Sequence, residues 1–356
     1  MNSTKWIYRF DELGSEHNDV AGKKCAQLGE MTRAGFNVPP GFALSLQAYE
    51  VFMMKSGAHK DIGNYLSEFK ADPQNPSDLP KYDKASKIIR AMIERKEMPE
   101  ELEEPICKHY DELCQASGVS DVSVATRSAG PSSHPGQYET FLHVRGKPEV
   151  MRNIIKVWSS TFNQRSIHAR HAAGLPLDYD PIGVAVLKMV NSKAAGVMFT
   201  LNPANGDRSK IIIEGNWGLG ESVVSGSVTP DEWVLDKVVI EIVKRTISNK
   251  TLEFILDESS GRARMLDVPR DRQSVPCLTD EEVLELARHG KKLEQHYGKP
   301  QDIEWCVDRD LPLPKNIFFV QTRPETIWSK KKSDGKLKSS GSASRDVIDF
   351  YRNLKA

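Results

Sequence analysis

Asp302-Ile303-Glu304-Trp305-Cys306-Val307, a loop through Pro312 and Pro314, and then Phe318-Phe319-Val320-Gln321-Thr322-Arg323-Pro324 form the stretch on which the reading of this chain turns. Both segments alternate polar and apolar residues with a period of two, the mark of strands that bury one face. In the first, Ile303, Trp305 and Val307 form the buried face and set Asp302 and Glu304 side by side on the other. The second does the same for Gln321 and Arg323. Paired as a hairpin, the two strands gather two carboxylates, an amide oxygen and a guanidinium on one surface. Oxygen ligands suit Mg²⁺, and a planar guanidinium suits phosphate. A solvated sheet face carrying a surface ion pair is the alternative that these residues alone leave open.

Composition narrows the classes. At 356 residues the chain is too long for one small core, and its length suggests about two domains. A hydrophobic fraction of 39% and a mean hydropathy of -0.48 describe an ordinary globular chain. Lysine plus arginine and aspartate plus glutamate balance at 49 each, so no global field draws in nucleic acid or anionic lipid. Any bound anion must therefore be held locally. The five cysteines, Cys25, Cys107, Cys114, Cys277 and Cys306, include no C-x-x-C pair. Their scatter argues against a zinc site or a disulfide framework and fits reduced thiols. Met1 to Phe10 contain no apolar segment of signal-peptide length, and no run of about 18 apolar residues occurs. The expectation is a cytoplasmic protein without a membrane anchor.

Along the chain, residues 19–35 read as one helix ending at Gly35, and Val38-Pro39-Pro40-Gly41 forces an extended turn before a helix begun by Ser45. Residues 59–118 are charged and helical. A short strand, Val122 to Thr126, runs into Arg127-Ser128-Ala129-Gly130-Pro131-Ser132-Ser133-His134-Pro135-Gly136, which is either a plain surface loop or a phosphate-covering flap. Gln137 to Val144 returns as a strand, and 149–173 is helical. After Pro181 the pattern becomes β: Ile182, Val184 and Val186 alternate into Lys188-Met189-Val190, Asn191-Ser192 turns, and Gly196 to Thr200 returns as a hairpin partner. Ile211-Ile212-Ile213 is a buried strand feeding Gly215-Asn216-Trp217-Gly218-Leu219-Gly220-Glu221-Ser222. That cluster lacks the G-x-G-x-x-G order of a dinucleotide fold, and the chain has no Walker A motif. Thr279 with Glu282 forms a capping box for a helix reaching about Tyr297. Residues 329–345 read as a flexible linker, and Val347, Ile348, Phe350, Tyr351 and Leu354 recur at helical spacing behind it.

Five of these stretches, in order, resemble the nucleotide-binding domain of the phosphoenolpyruvate synthase and pyruvate phosphate dikinase family, which also occurs in rifampin phosphotransferase. The first is Gly22-Lys23-Lys24-Cys25-Ala26-Gln27-Leu28-Gly29-Glu30-Met31 with Val38-Pro39-Pro40-Gly41-Phe42. The second is Thr126-Arg127-Ser128 with Gly136-Gln137-Tyr138-Glu139-Thr140-Phe141-Leu142, joined by a loop shorter than the family's. Val157-Trp158-Ser159-Ser160 with Arg165 is the third, and Val186-Leu187-Lys188-Met189-Val190 with Gly196 to Pro203 the fourth. Gly218-Leu219-Gly220-Glu221 through Val228-Thr229-Pro230-Asp231 follows the family pattern almost throughout. The fifth is the hairpin, similar to the family's D-I-E-W and Q-S-R-P-E-T.

The resemblance implies an α+β (α/β) ATP-grasp fold of two subdomains with the nucleotide in the cleft between them, residues 1–180 and 181–328, followed by the tail 329–356. By position it makes Lys24 and Arg127 the phosphate-binding cations, with Gln137 and Thr140 hydrogen-bonding under the flap. Lys188, Met189 and Val190 would hold adenine at the hinge, largely through main-chain atoms, and Glu221 would belong to the nucleotide loop. Glu304 and Gln321 would ligate Mg²⁺, Arg323 would bind the phosphates, and Asp302 would orient or assist. In that family the β-phosphate of ATP passes to a histidine on a swivelling domain, leaving AMP and orthophosphate. None of the nine histidines here has the glycine-rich setting of that carrier. The format is similar to the smaller subunit of phenylphosphate synthase, so the resemblance implies a larger partner subunit carrying the phosphohistidine and a phenol site. A phosphoenolpyruvate synthase-like or antibiotic phosphotransferase subunit, a nucleotide-sensing module and a self-contained kinase stay open.

Overall fold

A computed structural model describes residues 5–131, 138–257, 260, 262–326 and 328. His134, Gln137 and the amphipathic stretch from Val347 to Leu354 lie outside the described residues. The chain divides into two compact units, one made of residues up to Arg33 with Pro40–Met189, the other of Ala34–Pro39 with the residues from Val190 onward. The division thus falls after Met189, not at the expected 180/181.

The first unit contains β1 (Ile7–Arg9), α1 (Asn18–Ala21), α2 (Lys23–Arg33), β2 (Gly41–Leu44), α3 (Leu46–Lys55), α4 (Ala58–Ser67), α5 (Leu79–Glu94), α6 (Glu100–Ser117), β3 (Val124–Ala129), β4 (Thr140–Val144), α7 (Lys147–Ser159), α8 (Gln164–Ala172) and β5 (Gly183–Lys188). Its five strands form one antiparallel sheet in the order β1-β2-β5-β3-β4. Val124, Val184 and Val186 enter the main hydrophobic core with Phe52, Trp158 and Phe162. The opposite sheet face carries Gly183, Ala185, Arg127 and Ala129, and there α1 and α2 approach closely. A Cβ on Gly183 would lie 2.2 Å from Ala21 O, and one on Gly22 would lie 1.8 Å from Ala129 O. Gly22 also has φ +81°, a conformation that ends α1 and lets α2 start with Lys23 N–H on Gly130 O at 2.9 Å. The single helix expected over 19–35 is therefore two. Ser45 caps α3 by accepting Ala48 N–H, as its type predicts.

The second unit contains β6 (Ser192–Phe199), β7 (Lys210–Trp217), α9 (Glu221–Val224), β8 (Asp231–Asp236), β9 (Glu241–Thr246), β10 (Leu252–Asp257), β11 (Arg262–Asp267), α10 (Asp280–Tyr297), β12 (Gln301–Asp308) and β13 (Ile317–Pro324). Six strands form an antiparallel sheet, β13-β12-β6-β7-β8-β9, and β10 pairs with β11 apart from it. One face packs on α10. Its central row, Ile303, Met198, Ile213 and Trp233, is fully buried, and Gly290 of α10 leaves room for Met198 Sδ. Thr279 and Glu282 form the expected capping box of α10.

The hairpin expected between 182–190 and 196–200 does not form. β5 is hydrogen-bonded on both edges, to β2 and to β3, whereas β6 pairs with β12 and β7 in the other unit's sheet. Alternation identified both strands correctly. It carries no information about which sheet a strand joins, because that depends on partners distant in sequence.

Candidate nucleotide and metal site

In the first unit, the packing of α2 on the sheet decides what the cations can do. Lys24 lies in the first turn of α2, and Arg127 lies on β3, on the sheet face that α1 and α2 approach. Cys25, next to Lys24 on α2, is fully buried. Burial pushes its thiol up to about 12, opposed by the positive charges of Lys24 and Arg127. Thr140 is the direct cross-strand partner of Arg127, so Lys24, Arg127 and Thr140 are brought to one side of the sheet. Two cations and a hydroxyl there suit a polyphosphate. Lys188 shares its face with Val184 and Val186, opposite to Arg127, so its side chain is not placed with that group. Lys188 N–H donates to Pro40 O and Met189 N–H to Ser123 O, each at 2.8 Å. Val190 O accepts from Ser192 N–H at 2.8 Å.

The start of β4 is held from three sides, which the sequence did not reveal. Arg90 pairs with Glu139 at 2.7 Å, Glu139 N–H donates to Ser160 Oγ at 3.1 Å, and Tyr138 Oη donates to Asp180 at 2.8 Å. Asp180 is itself paired with the buried Arg170.

In the second unit, β12 and β13 form the expected hairpin. Asp302 stands opposite Arg323 and Glu304 opposite Gln321. Arg323 Nε and Nη2 both approach Asp302 Oδ2, each at 2.7 Å. Strict alternation does not produce this. Trp305 pairs with Phe319, so the register shifts by one residue between Glu304 and Trp305, with Val320 as the extra residue of a β-bulge. Phe319 is therefore buried against the core while Gln321 and Arg323 emerge on the opposite face.

That face continues across the sheet. Val197 of β6 lies opposite Glu304, Glu214 of β7 opposite Val197, and Glu232 of β8 opposite Glu214. One row therefore reads Gln321, Glu304, Val197, Glu214, Glu232. Glu214 and Glu232 were missed in the sequence because the run 211–213 reads simply as buried, and the row exists only through non-local pairing. Burial, then Glu232, then Asp302 push the Glu214 carboxyl up to about 7.

The glycine-rich loop lies over the same face. A Cβ on Gly220 would be 3.6 Å from Ala195 Cβ, Leu219 N–H donates to Phe254 O at 2.7 Å, and Asn216 Nδ2 donates to Leu252 O at 2.9 Å. Glu221 opens α9 and is exposed. Asp231, at the start of β8, and Lys250 form a completely buried pair at 2.7 Å. Asp231 also accepts Ser248 N–H and Cys277 N–H, each at 2.9 Å.

The residues fit a divalent cation that is shared with phosphate. Asp302, Glu304 and Gln321 offer oxygen donors on one face, next to an excess of carboxylates that already disfavours ionised Glu214. Among the described residues no group of three or more His, Cys, Asp or Glu is arranged to hold a metal by itself. Mg²⁺ asks for less than that, because it keeps one or two carboxylates and takes the rest of its shell from phosphates and water.

Among the described residues no helix is long and apolar enough to cross a membrane. Comparison with known proteins agrees with the motifs. The family pattern described as "Pyruvate phosphate dikinase, AMP/ATP-binding domain" matches residues 18–343. A probable phosphoenolpyruvate synthase of Staphylothermus marinus is 39% identical over 359 residues, covering 93% of this chain and 42% of that protein. The corresponding probable enzyme of Methanocaldococcus jannaschii is 38% identical over 95% of this chain and 28% of its own length. The phosphoenolpyruvate synthase of Aeropyrum pernix is 35% identical over 93% and 44%. The chain thus spans less than half the length of these relatives. Among solved structures, an L-amino acid ligase from Bacillus licheniformis matches at a TM-score of 0.28 and 12% identity over 86% of this chain and 63% of that one, too low to bear on the fold. With its ordered motifs and its mixed α+β architecture, the chain belongs to the pyruvate phosphate dikinase AMP/ATP-binding domain family.

Proposed function

We propose that this chain is the ATP-activating part of a dikinase-type phosphotransferase. It binds Mg-ATP and passes the β-phosphoryl group to a histidine outside these 356 residues, leaving AMP and orthophosphate. The observation that supports this reading is the register Asp302 to Arg323 and Glu304 to Gln321, which gathers two carboxylates, an amide and a guanidinium on one sheet face. Lys24, Arg127 and Thr140 neutralise and hydrogen-bond the phosphates. Glu304 and Gln321 hold Mg²⁺, which when bound withdraws charge from the phosphate oxygens. Asp302 fixes the Arg323 guanidinium through two contacts, so that its remaining donors meet the phosphates in a set orientation. Met189 and Val190 contribute main-chain groups to the base, and Glu221 belongs to the loop beside it. Gln137 is assigned by its motif alone. The geometry offers Lys188 only through its main chain.

The carrier histidine is assigned, by the smaller-subunit resemblance, to a larger cytoplasmic partner subunit; none of the nine histidines of these 356 residues stands in a carrier motif. On the smaller-subunit resemblance the final acceptor is phenol, giving phenylphosphate. A second reading, with pyruvate as acceptor, is favoured by the phosphoenolpyruvate synthases to which the chain is 35–39% identical. Product analysis separates these readings. The purified chain with the co-purifying histidine-bearing partner should release AMP and orthophosphate from ATP, and the acceptor that accelerates turnover identifies the reaction. Stoichiometric ADP, or full turnover by the chain alone, would overturn the dikinase assignment.

A further inference from the structure

β13 is an edge strand, yet it carries both Gln321 and Arg323. Its bulge decides which residues face the metal wall, and a bulge on an edge strand has no second neighbour strand to fix its position. A slip of one residue would set Val320 opposite Glu304 and Thr322 opposite Asp302, turning the ligand set away.

A segment remote in sequence covers that edge. Asn37 Nδ2 donates to Lys315 O at 3.0 Å and to Ile317 O at 2.8 Å, and Phe319 N–H donates to Asn37 O at 2.9 Å. Phe36 packs edge-to-face on Phe319 at 6.0 Å, and His289 of α10 contacts both rings, at 6.2 Å to Phe36 and 5.3 Å to Phe319. These bonds hold residues 315, 317 and 319 in turn, up to the neighbour of the extra residue, Val320. Residues 34–39 belong to the second unit although the chain on either side of them belongs to the first. A plain connection between α2 and β2 would need none of these contacts.

We propose that Phe36 and Asn37 form a register clamp that holds the β13 bulge at Val320 and so positions Gln321 and Arg323 on the metal-binding face. Asn37 is a positioning residue, since it acts through β13. The inference rests on the reading of Gln321 and Arg323 as metal and phosphate residues.

The test is equilibrium binding of Mg-ATP to the full chain and its variants, with folding checked by circular dichroism. Asn37→Ala should weaken Mg-ATP binding about tenfold, the scale seen when a group that orients a metal ligand is removed. Placed on Gln321→Ala/Arg323→Ala, the same change should add less than about twofold, because nothing is left to position. Unchanged binding by Asn37→Ala, or an equal tenfold loss in both backgrounds, overturns the clamp. Normal Mg-ATP binding by Gln321→Ala/Arg323→Ala would instead remove the site reading on which the clamp rests, a separate and visible result. If Asn37→Ala does not fold, Asn37→Ser takes its place. Its hydroxyl cannot reach both carbonyls, and a loss of about threefold, again confined to the intact background, is expected.

Discussion

Arg323 meets Asp302 through two nitrogens, a pair that fixes the orientation of the guanidinium and leaves its other N–H donors for the phosphate role proposed above. Asp302 is almost fully buried while Arg323 is part-exposed, so the aspartate acts as the fixed support. Arg323→Ala should lower AMP formation by the assembled system by about 10²–10³-fold, the effect of removing one preorganised charge donor, and should also lower the melting temperature, because Asp302 is left buried without its cation. Steady-state product analysis checks this. Glu214 makes a different demand. Its carboxyl is lifted from the ordinary value near 4.5 to about 7 by burial beside Glu232 and Asp302. The folded chain therefore holds the proton more tightly than the unfolded one. The stability contributed by the neutral carboxyl is complete below about 4.5 and is lost as pH rises through about 7, an effect on the order of 3 kcal/mol. Glu214→Gln should flatten the fall in melting temperature over that window, measured in EDTA. A wild-type slope retained in the variant would assign the pH dependence elsewhere.

At the level of elements, β8 begins at a residue that ties three segments together. Asp231 accepts Lys250, Ser248 N–H and Cys277 N–H, so the start of β8, the approach to β10 and the chain leading to α10 share one buried carboxylate. Removing one partner leaves the other charge buried without compensation. Lys250→Ala should therefore cost about 3–5 kcal/mol in urea denaturation, and Lys250→Met with Asp231→Asn, which removes both charges and keeps an acceptor oxygen for the backbone N–H groups, should recover part of it. The sequence placed Asp231 in a V-T-P-D motif, and nothing in that motif marks Lys250, which lies 19 residues on. Secondary structure was readable where periodicity and caps agree, as with Ser45 opening α3 and Thr279 opening α10. It was misread at Gly22, where a close approach to Ala129 splits a helix, and at β5 and β6, which alternate like a hairpin and belong to different sheets.

Across the whole molecule, acidic and basic residues balance, so affinity for a polyanion has to come from local groups, the role proposed for Lys24, Arg127 and Arg323. The consequence is measurable as linkage. Mg-ATP at about 100 times its Kd should raise stability by about 2.7 kcal/mol, and EDTA should remove most of the gain. Calorimetric melts with ATP, with Mg²⁺ and with both test this. An equal shift from ATP without the metal would argue against the roles given to Glu304 and Gln321.

The sequence by itself marked several of the strands and put Asp302 and Glu304 on one strand and Gln321 and Arg323 on another, because side-chain period and residue type are local properties; Lys24 and Arg127 were named by their place in ordered motifs, not by periodicity. Tertiary structure decided what those local properties leave free. It fixed the bulge at Val320 that brings Gln321 opposite Glu304, the row that adds Glu214 and Glu232, the clamp from Asn37, and the separation of β5 from β6. Each depends on hydrogen bonds between segments far apart in the chain, and the hydrophobic pattern of one strand is the same whichever partner it meets.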